Sequence, residues 1–258
     1  MTEERGFDPV MPQLSASPGY RRRIIIEPGD GIISAELEDD YHRIRVLLRH
    51  EAGLVTHVGS EMLRWPWTSC PGAMDVLAAT FVGARLEDCA RRGEKRHNCT
   101  HLYDLLLFAA AHALDDAATL YDIAVSDPAQ GRRRATLSRN RRPLLDWQLD
   151  HDLFLSPVEL AGSPVHDLGK WISTLEAQGD SDLAEAARAL RWAAMLALGR
   201  AMNIPAGLSA TAFPAATCYT FQPEQARDAI RRQAVERDFS RTVPGPLADR
   251  AILFDGDG

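Results

Sequence analysis

The chain has 258 residues, 45% of them hydrophobic and 25% charged, a composition that belongs to a folded globular protein and excludes disorder over most of its length. Acidic residues outnumber basic ones 36 to 29, for a formal charge of −7, which excludes a generic electrostatic attraction to nucleic acid or an anionic membrane. No apolar run approaches the roughly 18 residues of a membrane helix, since even Ala109–Leu120 is broken by His112, Asp115 and Asp116. A cytoplasmic protein is expected, with Cys70, Cys89, Cys99 and Cys218 as reduced thiols.

In chain order, residues 1–19 begin acidic and hold Pro9, Pro12 and Pro18, and read as a flexible tail. From Tyr20 the pattern alternates with period two, and Pro28-Gly29-Asp30-Gly31 and Glu51-Ala52-Gly53 supply turns. This predicts antiparallel strands over Tyr20–Glu27, Ile32–Glu38, Tyr41–His50 and Leu54–Leu63. In the third, His42 shares a face with Ile44, Val46 and Leu48, so it points to the core and needs a partner there. The period then becomes helical: one helix is predicted from Cys70-Pro71 to about Arg91–Gly93, and a second from about Asn98–Thr100 to Asp122.

Residues 20–125 thus read as an α+β core, an antiparallel sheet with two packed helices. Residues 126–145, holding Arg132 to Arg134, Arg139, Arg141 and Arg142, read as an irregular connector or an exposed hairpin. These arginines read as solvated positions, or else as a grip on a phosphate-bearing ligand such as a coenzyme A thioester. Residues 146–254 read as a mainly helical part packed on the core, with helices at Val165–Gln178, Ser181–Met202 and Gln222–Asp238, before an acidic tail at 255–258.

Cys70 and Cys99 stand at the starts of the two predicted helices, where free amide N–H groups and the helix dipole favour a thiolate. His101 follows Cys99 and His97 precedes it, while His42 comes from the sheet face these helices cover. Thiolates and imidazoles together suit zinc or another thiophilic divalent metal, and His42, Cys70, Cys99 and His101 are the expected ligands. Against this stands the plainer reading, in which the cysteines are small buried hydrophobes and His42 a satisfied core histidine. His101, Asp104, Phe108 and His112 fall on one helical stripe, so Asp104 is either the orienting or basic carboxylate of the site or part of a boundary stripe. Trp65 and Trp67 either wall an apolar pocket beside Cys70 or anchor the core; Cys218 precedes the last predicted helix and reaches the same pocket from the C-terminal part. Dinucleotide, phosphate-loop, nucleophile-elbow and His-Glu-x-x-His motifs are absent.

The run Cys70-Pro71-Gly72-Ala73, Gly83 and Cys99-Thr100-His101-Leu102 resembles an uncharacterised bacterial domain-of-unknown-function family, a resemblance continuing through Trp147 and Cys218-Tyr219-Thr220-Phe221-Gln222-Pro223. It lends position without chemistry. Residues 20–122 also resemble the NifU-like iron-sulfur cluster scaffolds, whose two helices start with Cys-Gly-x-Ala and His-Cys-Ser; Cys70-Pro71-Gly72-Ala73 and His97-Asn98-Cys99-Thr100 look like these. That resemblance implies that Cys70 and Cys99 lie together with His97 or His101 beside them. It departs at the scaffold's first cysteine, due near Glu38–His42, where Asp40 or His42 would substitute.

The expectation is a zinc-like metal-binding protein. An open coordination position would make it a hydrolase or lyase on a small acyl or aromatic substrate, with Asp104 as base. The alternatives are a non-catalytic scaffold-like or accessory subunit of a catabolic enzyme, and a metal-free enzyme using Cys70 as nucleophile. Sequence does not fix the oligomeric state.

Overall fold

The computed structural model describes residues 17–242 and 244–250, so the acidic tail at 255–258 and nearly all of the expected N-terminal tail lie outside the described residues. The fold is α+β. Its strands are β1 (Gly19–Gly29), β2 (Ile32–Asp39), β3 (Arg43–Glu51), β4 (Leu54–Arg64), β5 (Thr119–Ser126), β6 (Arg132–Arg139), β7 (Arg142–Asp150) and β8 (Leu153–Ser156). Its helices are α1 (Ala73–Phe81), α2 (Thr100–Ala111), α3 (Gly169–Ala177), α4 (Ser181–Leu196) and the one-turn α5 (Pro223–Ala226). None among the described residues is long and apolar enough to cross a membrane.

Two compact units divide the chain. One holds Arg22–Tyr121, Met202–Arg237 and the described residues from Pro246. In it the hairpin-linked strands run in the order β4-β3-β2-β1, antiparallel, with Arg22 opposite Asp39 and Leu37 opposite Ile44. The alternation does what it predicts: Ile44, Val46 and Leu48 are fully buried, and His42 is buried beside them. Helix α2 packs on β2 and β3, α1 packs on β4, and Phe81 and Tyr103 join the helices with ring centroids 5.0 Å apart.

The first predicted helix is shorter than its periodicity suggests. Gly83 takes φ 84° and donates its N–H to Val55 O, turning the chain back along β4, so that only a 3₁₀ turn at Leu86–Arg91 continues it. The second ends at Ala111 instead of Asp122, because the acidic pair that follows favours a turn, with His112 Nδ1 2.6 Å from Asp115 Oδ2. The β-branched run from Thr119 then makes β5.

Residues 202–237 carry little helix. Of the predicted helix at Gln222–Asp238 only α5 forms; beyond it the backbone bonds to other segments, Arg231 N to Leu208 O (2.8 Å), Arg232 N to Pro66 O (2.9 Å) and Arg237 N to Asp40 O (2.7 Å). Extended chain laid against loops satisfies these groups as well as a helix would.

The second unit holds Asp122–Ala201, Asp238–Gly245 and the described residues up to Arg21. Its strands run β5-β6-β7-β8, and α4 packs on β6 and β7. The stretch read as an irregular connector or exposed hairpin is the β6–β7 hairpin. Arg133 is a buried strand residue whose guanidinium donates to Ala194 O (2.8 Å), His151 O (2.9 Å) and Asp152 Oδ1 (3.3 Å), which is how a charged residue occupies an inward position. The part read as mainly helical opens with β7 and β8, and its helices run shorter than predicted, α4 ending at Leu196 before a 3₁₀ turn over Ala197–Ala201.

Candidate functional site

The expected donors all lie within the first unit. His42 and His101 stack with ring centroids 3.9 Å apart. With Asp39 they are the group of three His, Cys, Asp or Glu side chains whose ligand atoms all lie within 4.8 Å of one another among the described residues. Asp39 closes the β2–β3 turn. Its Oδ1 accepts the N–H groups of Tyr41 (2.8 Å) and His42 (2.7 Å) and faces His42 Nδ1 at 3.1 Å, while its Oδ2 accepts Arg22 Nη2 (2.7 Å) and Nε (3.2 Å). Burial opposes the Asp39 charge, but His42 and Arg22 beside it prevail and hold the carboxyl well below the usual carboxylate range. Both oxygens are thus engaged, with a fixed cation at 2.7 Å. That filled arrangement is built to anchor a hairpin and to orient His42.

Burial, reinforced by neighbouring His42 and Arg22, holds His101 well below its ordinary 6.5 despite the opposing pull of Asp39; Lys95 acts in the same lowering direction. A histidine with a depressed folded pKa binds fewer protons than the unfolded chain just below pH 6.5, so stability falls as pH drops through that range. Asp39 contributes nothing to this window, because its depressed pKa costs stability only at lower pH. Urea midpoints of the metal-free protein are therefore expected to decline below about pH 6.5, and His101→Gln is expected to flatten that decline; an unchanged slope would show His101 not to be the group responsible.

Cys70, Cys99 and Cys218 do not form such a group of three within 4.8 Å among the described residues. Cys70 opens a 3₁₀ turn leading into α1, and Cys99 is the residue immediately before α2, as the helix-start reading requires. The segment that joins them was not legible as a unit. Tyr219 N donates to Asn98 O (2.9 Å), Ser69 Oγ donates to Thr220 Oγ1 (3.0 Å), Thr220 Oγ1 lies 3.4 Å from Cys70 Sγ, and Gln222 Nε2 donates to Arg96 O (2.7 Å). Cys218 is the residue just before this stretch. Asn98, fully buried, donates its amide to Thr80 Oγ1 (3.1 Å) and Glu94 O (3.2 Å), which leaves its Oδ1 an unfilled buried acceptor next to Cys99.

The expectation of easily ionised thiols is corrected. Burial pushes Cys70 up to about 11, with the Thr220 hydroxyl and the Trp67 backbone pulling it down and Cys218 pushing it up. Burial also pushes Cys99 up, Cys70 adds to that, and the helix-start amides of Leu102 and His101 only partly offset it. Cys218 is raised as well. Enclosure outweighs the helix start.

Of the other candidates, Asp104 is paired with Lys95, whose Nζ lies 2.6 and 2.7 Å from its oxygens. Trp67 is buried in an apolar cluster with Cys70, Ala210, Ala226 and Ala229, its ring 5.4 and 5.5 Å from those of Phe213 and Phe221. Trp65 packs at the edge of that cluster under the Arg232 guanidinium at 3.9 Å. Cys89 donates to Arg85 O (3.4 Å) and stays apart. Gly72 is held to its size by this packing, because a Cβ there would lie 2.4 Å from Tyr219 Oη. Gly72→Ala is expected to displace the Tyr219 ring and destabilise the protein by about 1–3 kcal/mol, read from urea midpoints, with Tyr219→Phe relieving part of the loss by removing the clashing hydroxyl.

No protein-family model matches the chain, and no curated protein is significantly similar to it.

Proposed function

We propose that the chain is a metal-binding protein that holds a zinc-like, thiophilic divalent ion through Cys70 and Cys99. What supports this is that Cys70 and Cys99 stand just before α1 and α2, and that one stretch, Tyr219–Gln222, hydrogen-bonds to the segments of both, through Thr220 to Cys70 and Tyr219 N to Asn98 O. The raised thiol pKa values weigh against the metal-free alternative, since a thiol near 11 is almost wholly protonated at neutral pH and a poor nucleophile. A bound cation removes that obstacle by stabilising the thiolates. A coordination position left open would take a water or a small acyl or aromatic substrate and give the hydrolase or lyase reading; full coordination gives the scaffold-like or accessory one. Sulfur donors favour zinc over hard cations.

Elemental analysis of the purified protein is expected to give about one equivalent of metal, lost in Cys70→Ser/Cys99→Ser and kept in Cys89→Ser. A second reading, favoured by the mutual closeness of Asp39, His42 and His101, places the ion on that group. In that case the double cysteine variant keeps its metal and His42→Ala/His101→Ala loses it. Metal content unchanged in both double variants would reject both readings.

A further inference from the structure

We propose that the second unit holds a binding site for a small amphipathic anion, a carboxylate or phosphate head on an apolar body. The site is the cavity lined by the end of β5, the start of β6 and the facing part of β7, and Arg132 is the residue that pairs with the head. This stands apart from the metal-binding reading, which concerns the first unit.

The first support is the cavity itself. It measures about 650 Å³, and Pro18, Pro128, Ala129, Leu149 and Leu155 give it apolar walls. A volume of roughly 300–1,000 Å³, apolar walls and a few converging polar groups are the usual form of a small-molecule site. Strand alternation supplies those polar groups. Arg133 turns toward α4, where its guanidinium reaches Ala194 O, so Arg132 and Arg134 share the opposite face of β6. Gln148 joins them there, since it stands opposite Arg134 in the β6–β7 register. Leu155 is 44% exposed, so the apolar wall reaches the surface and a ligand can enter without the sheet opening.

The second support is a charge left over. Of the ionisable side chains lining the cavity, Asp127 is answered by Arg200 Nε at 2.8 Å. Arg134 Nε lies 2.8 Å from Asp146 Oδ1, and the Arg133 guanidinium is taken up by two carbonyls and Asp152. The Arg132 guanidinium has no partner among the described residues, while its backbone is fixed by a pair of N–H···O bonds exchanged with Ala129 (2.9 and 3.0 Å). Ser126 Oγ accepts the Arg134 N–H (3.0 Å), which leaves its own hydroxyl proton to give. The Gln148 carboxamide is likewise uncommitted. A guanidinium, a hydroxyl and a carboxamide beside apolar walls match an oxyanion carried on a hydrocarbon body. An organic cation would find the Asp127 carboxylate already paired. The arginine run thus divides into a buried member, a paired member and one that can grip a ligand.

The test uses the full chain and the fluorescent probe anilinonaphthalene sulfonate, itself an anionic head on an apolar body. Saturable binding is expected, with the probe displaced by octanoate or octyl phosphate but not by octanol or inorganic phosphate at the same concentration. The better displacer of the two anions tells carboxylate from phosphate. Arg132→Gln is expected to weaken probe binding about tenfold, the loss of one charge-assisted contact, and Leu155→Asp to weaken it as well. Arg142→Gln, at an exposed arginine outside the cavity, is expected to leave it unchanged. Should a variant fail to fold, the wild-type chain still answers: octanoate is expected to slow amide exchange over residues 126–134 and 148–149 and not elsewhere. Displacement by octanol equal to that by octanoate, probe binding in folded Arg132→Gln equal to wild type, or octanoate protection lying outside those residues overturns the proposal. Cys70→Ser/Cys99→Ser is expected to bind the probe like wild type, so the failure of this site and the failure of the metal-binding reading are read separately.

Discussion

Asp39→Ala is expected to cost about 3–5 kcal/mol of folding stability, the usual consequence of removing one partner from a buried ion pair. Arg22 and Asp39 are 3% and 0% exposed at their side chains and meet at 2.7 Å, so the guanidinium would lose its carboxylate where water cannot replace it. The same change removes the acceptor that closes the β2–β3 turn at Tyr41 N and His42 N and the oxygen that faces the His42 ring. Against a typical total stability of about 5–15 kcal/mol this is a large fraction. Asp39→Asn keeps the shape and one acceptor and should fall between. The check is urea denaturation of the two variants beside wild type; a loss under about 1 kcal/mol for the alanine variant would mean that Arg22 finds equal compensation elsewhere.

The other large effect is expected at Trp67. Its ring is enclosed by Cys70, Ala210, Ala226, Ala229, Phe213 and Phe221, so Trp67→Ala should cost about 3–5 kcal/mol through lost transfer energy and the cavity left behind. Because Phe213 and Phe221 belong to the 202–237 stretch, the damage is expected to spread there, and amide exchange over those residues should accelerate more than exchange in β2 and β3. Were Trp67 instead the wall of a substrate pocket, its removal would leave stability nearly intact and alter ligand binding alone.

How much of this was legible in advance differs along the chain. The hairpins from Tyr20 to Leu63 could be read because one face of each strand is apolar and the turns carry glycine, and the inward place of His42 followed from the same count. The β6–β7 hairpin escaped a firm assignment because its inward residue Arg133 is charged; sequence alone does not show that carbonyls of Ala194 and His151 are waiting for it. Residues 222–238 looked helical by composition, yet Ala229 and Val235 are buried by extended chain whose backbone bonds run to distant segments, Ala229 O to Ala210 N, Arg231 N to Leu208 O and Arg232 N to Pro66 O.

Within the site, the helix-start positions of Cys70 and Cys99 were visible, since they depend on local periodicity. The meeting of the His42 and His101 rings was not, nor was Asp39 as the partner of His42, because both depend on register between strands and helix. Asp104 looked available on its stripe until Lys95, nine residues earlier, took it. Cys218 could be placed only vaguely, as its position depends on bonds to Ser69, Cys70, Arg96 and Asn98.

The enclosure that keeps these sulfurs protonated also bears on their oxidation. It is the thiolate that attacks peroxide or glutathione disulfide, so sulfurs that hold their protons move slowly toward sulfenic acid and mixed disulfides. The shelf life of the reduced chain in air should far outlast that of an exposed dithiol.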